Sequence, residues 1–336
     1  NDTLDNVHYA SIVLSQTDYS ARLWERTEEK SVAHIAEIKT QTVLENCPSA
    51  DSLGNVCSVE SEELQKGFLA RSTLALGVDT LRKITQNQQI AIIGVGGLGS
   101  VIAENLIHSG FQSLCLVDPD VVEITNLNRI VGAYFTDAQQ KRLKIDVVKE
   151  HLQRINPNAK IKGFSTGVED AALLPALMSC DWVIVATDNH FSRFTAQEIA
   201  LRLGIPLIST GVNITVDKQQ ITDMSGEVII ARYGDKLCLN CLGRINPTQI
   251  AAEQYKGKFI GDELVKRGYV SGQEVKEPAV KTLNAMLGAM TVDILLNQYT
   301  QRQAHQAITV YENNRHSCIY PDTQSVVARQ HDCFYC

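Results

Sequence analysis

From about residue 72 onward, apolar residues fall into two alternating patterns. Short, largely apolar runs at 90–94, 113–118, 182–188 and 206–210, with the mixed run AKIKGF at 159–164, read as strands. Between them, apolar positions recur at helical spacing over 101–109, 141–155, 171–178 and 191–203. Strands and helices that alternate through short loops predict an α/β fold, a Rossmann-like doubly wound sheet with parallel strands and right-handed crossovers. After Gly211 the runs ITVDKQQ and GEVIIARY predict an antiparallel extension of that sheet. A polar segment, 246–276, carries Gly257, Gly261, Gly268 and Gly272 and reads as a mobile loop or lid. Residues 278–299 form an apolar helical stretch rich in small residues, and AITVYENN supplies a last strand.

Residues 1–65 differ in pattern from the rest of the chain. VHYASIVLS and SARLWERTEE read as strands, and KSVAHIAEIKTQTVLENC as a helix with Val32, Ile35, Ile38 and Val43 on one side. The polar stretch 48–60 reads as a linker. The expected organisation is a small α+β domain over 1–65, followed by a nucleotide-binding domain over 66–336. The small domain is either a packing or dimerisation arm or a clamp for a peptide.

Composition narrows the classes. Of 336 residues, 44% are hydrophobic and 21% charged, with a formal net charge of −7. A chain without a basic footprint is not expected to bind nucleic acid. No apolar run approaches the roughly 18 residues of a membrane helix, and the polar start NDTLDNVH does not read as a signal peptide. Nine cysteines in such a chain are expected as reduced thiols in a cytoplasm rather than a disulfide framework.

The chemistry begins in QIAIIGVGGLGS, residues 89–100. A strand, a turn containing Gly94, Gly96, Gly97 and Gly99, and a helix place backbone N–H groups and a positive helix end against a phosphate. Asp118 ends the next strand, about 20 residues on, where a dinucleotide fold keeps its ribose-binding acid. The glycines and this acid fit NAD as well as ATP, and on them alone NAD is the better fit.

Four stretches taken together, GVGGLGS, LVDPD, NLNR and ATDN, resemble the ThiF-type adenylating domain shared by ubiquitin-activating enzymes and bacterial sulfur-carrier adenylyltransferases. The resemblance covers about residues 66–336. It implies ATP on the glycine turn, its ribose on Asp118, and its triphosphate on Asn126 and Arg129. It further implies phosphate neutralisation by Lys144 and a magnesium ion on Asp188. Lys144 is placed by counting back from INP (155–157), which leaves Arg142 open, and Asp188 fits a helix cap as well as a metal ligand. His190 reads as a capping or packing residue. Arg71, six residues before Gly77, matches a family arginine that enters the neighbouring subunit's ATP site, which implies a homodimer.

Cys238-Leu-Asn-Cys241 and Cys333-Phe-Tyr-Cys336 are paired CxxC motifs whose four thiolates suit a closed, structural zinc site. The adenylating family carries pairs in the same regions. No cysteine lies between Cys241 and Cys318, so the resemblance implies no thioester step there; Cys115 and Cys180 read as inert core thiols, while Cys47, Cys57 and Cys318 stay open. An amino-terminal domain ahead of a zinc-bearing core without that cysteine is similar to the peptide-modifying branch of microcin C and pantocin biosynthesis. The expected substrate is therefore a ribosomally made precursor peptide, with the Gly-Gly tail of a sulfur-carrier or ubiquitin-like protein as the alternative. Two other classes stay open: an NAD-dependent oxidoreductase, and an inactive binding partner, which would lack Arg129, Lys144 or Asp188.

Overall fold

The computed structural model describes residues 67–254, 278–329, 333 and 336, together with the backbone of 8–14, 19–26 and 32–39. The chain divides into two units, Asn1–Glu63 and Leu64–Cys336. In the first, β1 (His8–Leu14), β2 (Tyr19–Arg26) and β3 (Val32–Lys39) form an antiparallel sheet in that order. β3 replaces the first part of the helix expected from the spacing of Val32, Ile35 and Ile38. His34 pairs with Trp24 and Ala36 with Leu23, so Ile35 is left over at a register shift. That extra residue breaks the two-residue alternation of a strand and imitates a helical period. The described part of this unit is thus all strand, and the expected linker at 48–60 lies outside the described residues.

In the second unit, α1 (Ala70–Leu76) and α2 (Val78–Asn87) precede β4 (Gln89–Ile93) and α3 (Gly97–Ser109). Then come β5 (Ser113–Val117), α4 (Phe135–Gln139), α5 (Lys144–Ile155), β6 (Lys160–Phe164), α6 (Leu174–Leu177) and β7 (Trp182–Val185). The chain continues through α7 (His190–Leu203), β8 (Leu207–Asp217), β9 (Gln220–Ala231) and α8 (Pro247–Gln254). It closes with α9 (Lys281–Thr300), β10 (Ile308–Asn313), β11 (Ser317–Pro321) and α10 (Thr323–Ala328).

The strands form one sheet in the order β6-β5-β4-β7-β8-β9-β10-β11. The first five run parallel and the remainder antiparallel. Chain order reverses at β4, where β5 lies on one side and β7 on the other; the carboxyl ends of these strands flank the crevice of a doubly wound sheet. Side chains alternate as the pleat requires. Ile90, Ile92, Leu114 and Leu116 join α2, α3, α5 and α9 in one core. Ala91, Ile93, Cys115 and Val117 join α6 and α7 in the other. Burial on both faces explains why these strands read as continuous apolar runs.

Several boundaries move from expectation for local reasons. α5 begins at Lys144, not 141, because Lys141 sits at φ +48° and Leu143 bridges back to Val121. β8 continues past 210 into a two-residue hairpin through Lys218 and Gln219, both at positive φ as a primed turn requires. Of the segment expected as a loop, 247–254 is the helix α8, and 255–277 lie outside the described residues. The apolar pattern does not mark α1, α2, β11 or α10.

α9 packs directly on α3. A Cβ on Gly288 would stand 2.6 Å from Val101 Cγ1, so the small residues of α9 let the two helices close on each other. Gly288→Leu is expected to destabilise the domain by about 1–3 kcal/mol through overpacking. Urea unfolding with an unchanged m-value checks this; a variant as stable as wild type would show that the helices can separate at no cost.

Candidate active site

The glycine turn is built by two close approaches. Gly94, at φ +87°, presses on Thr187 Cγ2 and on the carbonyl of Ala186, both of which a Cβ would meet within 3.0 Å. A Cβ on Gly99 would lie 1.9 Å from the carbonyl oxygen of Gly94, so the first turn of α3 folds onto the end of β4 only without a side chain. Gly96 caps α3 with no side-chain hydrogen bond, which leaves the first-turn N–H groups facing the crevice. Thr187 adds a hydroxyl that is buried without a hydrogen-bond partner among the described residues.

Asp118 follows β5 and is 5% exposed. Its Oδ2 accepts from the Val95 N–H at 2.7 Å and its Oδ1 from the Asp120 N–H at 2.9 Å. These bonds fix the carboxylate below the glycine turn and leave lone pairs for a sugar hydroxyl. Lys144, the first residue of α5, places its ammonium 2.7 Å from Asp120 Oδ2 and 3.9 Å from Asp118 Oδ1. Burial raises the Asp118 carboxyl above its ordinary value, and the Lys144 charge opposes that rise. Arg142, the competing candidate, is engaged elsewhere by Asp137 at 2.9 Å and by Glu150.

Asn126 is buried, and its Oδ1 accepts from the Glu123 N–H at 3.1 Å, an orientation that leaves the amide nitrogen to donate elsewhere. The loop that carries it is tied to α3, since Ser100 Oγ accepts from the Val131 N–H at 3.1 Å. Arg129 lays its stem against Gly97, with Cδ 2.7 Å from the position of a Cβ there. Its guanidinium donates to the Thr125 carbonyl at 2.7 Å and to Asn128 Oδ1 at 3.1 Å, and it has no carboxylate partner among the described residues. The crevice thus has an uncompensated cation beside a helix N-terminus, an arrangement suited to a phosphate chain.

Asp188 is exposed at the end of β7. The helix-cap reading belongs to its neighbour: Asn189 Oδ1 accepts from the Ser192 N–H at 2.7 Å. His190 packs, its Nδ1 accepting from the Asn246 N–H at 3.3 Å. Arg71 is exposed on α1 and is not brought to the turn. Leu69, two residues before it, lies near Gly110 at the far end of α3, which at 1.5 Å per residue is roughly 18 Å from the glycines.

The two CxxC pairs meet. All four thiol sulfurs lie within 4.8 Å of one another, with Cys238 to Cys333 at 3.5 Å and Cys241 to Cys336 at 4.0 Å. A tetrahedron of about 2.3 Å zinc–sulfur bonds has edges of about 3.8 Å, so the cluster fits zinc and would hold it through four thiolates. Burial pushes the Cys238 thiol up and Cys336 to about 12, so metal entry must displace protons. Cys115 and Cys180 are both buried, and Cys115 is driven upward by a hydrogen bond with Cys180 and by burial, which keeps it protonated and inert. Cys318 is exposed on β11. Sequence reasoning assigns no role to Asp120 and Thr187, although they stand inside the LVDPD and ATDN stretches, and it misses the buried Asn284 of α9, whose Nδ2 also reaches Gly97.

This geometry sets two expected outcomes. In the ligand-free protein, Asp118 titrates above 3.8, and Lys144→Met moves it higher still, as a carbon-13 carboxyl titration will show. A folded state that holds this proton more tightly loses stability from Asp118 as pH rises through the folded value; a titration at or below 3.8 contradicts the burial argument. Second, purified protein carries about one zinc per chain. Cys241→Ser removes it and lowers the thermal midpoint, by about 2–4 °C for each kcal/mol lost; metal analysis that finds no zinc in wild type excludes the site.

Among the described residues no helix is long and apolar enough to cross a membrane. The chain is 35% identical over 144 residues to the tRNA threonylcarbamoyladenosine dehydratase of Bacillus subtilis, a match covering 42% of this chain and 55% of that protein. It is 29% identical over 161 residues to the molybdopterin-synthase adenylyltransferase of Escherichia coli, covering 48% and 60%. The chain therefore spans little more than half the length of these curated relatives. The solved structure of E. coli MccB with ATP matches over 98% of both chains at a TM-score of 0.61 and 16% identity, a likeness of fold. MccB is described as a microcin C7 biosynthetic enzyme and has been solved with N-formylated MccA. The sequence pattern of the ThiF family matches residues 69–333, and the chain belongs to that family.

Proposed function

We propose that this protein is an ATP-dependent adenylyltransferase that activates a carboxylate, or an amide, of a ribosomally made peptide in peptide natural-product biosynthesis. The observation that carries the adenylation reading is the approach of two cations, Lys144 beside Asp118 and Arg129 over Gly97, to the N-terminus of α3. In the carboxylate case, a carboxylate oxygen attacks the α-phosphorus of ATP, the bond to the bridging oxygen breaks, and pyrophosphate leaves. Two anions must meet and charge grows on the leaving group, so cations placed beforehand supply most of the catalysis. Arg129 presents a planar fork to phosphate oxygens, and Lys144 a compact charge. The attacking carboxylate is already ionised at neutral pH and needs no general base.

Asp188 is assigned to magnesium. It is a hard oxygen ligand, exposed at the switch point and released from helix capping by Asn189. An ion there supplies charge neutralisation along the phosphate chain. Arg71 is assigned to the ATP site of a second copy of the chain, because it lies too far along α3 to reach its own, and this makes the enzyme a homodimer.

For the substrate, the likeness to MccB extends over 98% of the chain and so includes the first unit, not the adenylating domain alone. Among the described residues no strand pairs with the outer edges of β1 and β3, and such an edge offers a place where an extended peptide adds as a further strand. The relative named molybdopterin-synthase adenylyltransferase favours the second reading, the carboxyl-terminal tail of a small carrier protein.

Substrate-dependent ATP–pyrophosphate exchange tests both. Peptides encoded beside the gene are expected to support exchange, and Asp188→Ala or Arg129→Ala to reduce it about 10²–10³-fold. Exchange only with a protein ending in Gly-Gly would replace the peptide reading, and exchange undiminished in Asp188→Ala would remove that residue from the mechanism.

A further inference from the structure

We propose that Asn284 is a nucleotide-binding residue of this site, its side-chain amide donating to a phosphate oxygen seated at the N-terminus of α3. The proposal rests on the nucleotide reading of the glycine turn. Three side chains of α9 are both polar and buried: Asn284, Thr291 and Asn297. Thr291 Oγ1 donates to the Leu287 carbonyl at 2.7 Å and bonds Thr210 Oγ1 at 3.1 Å. Asn297 donates to the Gln303 carbonyl at 3.0 Å and accepts from the Gln303 N–H at 2.9 Å. Asn284 is 3% exposed and has no hydrogen-bond partner among the described residues. An amide on a side chain this enclosed that makes no bond to the described residues is available to a ligand.

Its direction says which ligand. Asn284 Nδ2 lies 2.6 Å from the point where a Cβ on Gly97 would project, and Arg129 Cδ lies 2.7 Å from the same point. The amide donor, the base of the guanidinium stem and the first residue of α3 therefore meet in one place. The α3 N-cap, Gly96, contributes no side-chain acceptor, and the N–H groups of that first turn have no side-chain acceptor among the described residues. Donors converge there from a helix end, an arginine and an asparagine, and an oxyanion answers all three. Asparagine is suited to the position because it donates without adding a second cation beside Arg129, and an aspartate there would repel a phosphate.

ATP and adenosine, titrated calorimetrically into the full chain, separate the phosphate contact from the rest of the site. Wild type is expected to bind both. Asn284→Ala is expected to weaken ATP about 10-fold or more, the range for a hydrogen bond to a charged group, and to leave adenosine unchanged. Asn284→Asp, which keeps the shape of the side chain, is expected to weaken ATP further and again spare adenosine, and it serves if the alanine variant does not fold. ATP affinity equal to wild type in a folded variant overturns the proposal. So does an equal loss of ATP and adenosine, which would mark a packing role. If wild type itself binds no ATP, the nucleotide reading fails and the proposal with it.

Discussion

The carbonyl oxygen of Gly94 and the α-carbon of Gly99 stand so close that no side chain fits between them. That one contact folds α3 back onto the end of β4 and aims its N-terminus across the crevice where chain order reverses. Other parts of the site take their positions from it. Val95, inside the turn, supplies the N–H that fixes Asp118, and Ser100, one residue past Gly99, supplies the acceptor that ties down the loop after Arg129. An alanine at Gly99 would therefore displace a carboxylate and a guanidinium that lie well apart in sequence. The constraint is steric, and the electrostatics are built upon it.

The electrostatics are those of a site prepared for anions but not flooded with positive charge. Lys144 is balanced by Asp118 and Asp120, so its ammonium is held in place without attracting unrelated anions from solvent. Arg129 is not balanced, and in the ligand-free chain it rests on neutral carbonyl oxygens of its own loop. Bonds of that kind exchange readily for stronger ones to phosphate. The buried Asp118 bears part of the cost: desolvation opposes its charge, and Lys144 only partly offsets this.

What is legible in the sequence is local. The glycine turn, Asp118, the NLNR stretch and the two CxxC pairs announce themselves through spacing, because each is a short segment whose chemistry needs fixed intervals. The parallel core is legible in the alternation of apolar runs, since burial on both faces of β4, β5 and β7 leaves no polar positions to blur them. β3 reads as a helix because a bulge at Ile35 replaces the period of a strand with one closer to a helix. Asn284 is invisible because nothing local marks it, and Thr187, though it stands in ATDN, has no role that the stretch alone reveals. Asn284 resembles any polar residue of an amphipathic helix until α9 is packed on α3, and Thr187 gains meaning only when Gly94 arrives against it. The same holds for Arg142 and Lys144, two cations in one short stretch. The backbone at Lys141 and the bridge from Leu143 to Val121 turn one of them toward Glu150 and the other toward Asp118.

The thiol cluster lies on the α7 side of the sheet, yet it is mechanically joined to the crevice. Gln197, fully buried on α7, accepts from the Leu239 N–H at 2.5 Å and donates to Asn240 Oδ1 at 2.7 Å, so both inner residues of the first CxxC pair are fastened to that helix. At its other end α7 begins directly after Asp188 and Asn189. There the Phe191 N–H donates to Glu253 of α8 at 2.7 Å, and His190 accepts from the Asn246 N–H that leads into α8. Residues 238–254 thus grip α7 at two points, and the cysteines at 333 and 336 close the grip from the end of the chain. A metal bound by four thiolates has no open position for a substrate. A metal held there would contribute mechanically: it would hold the strap that holds α7, whose first turn directly follows Asp188 and Asn189.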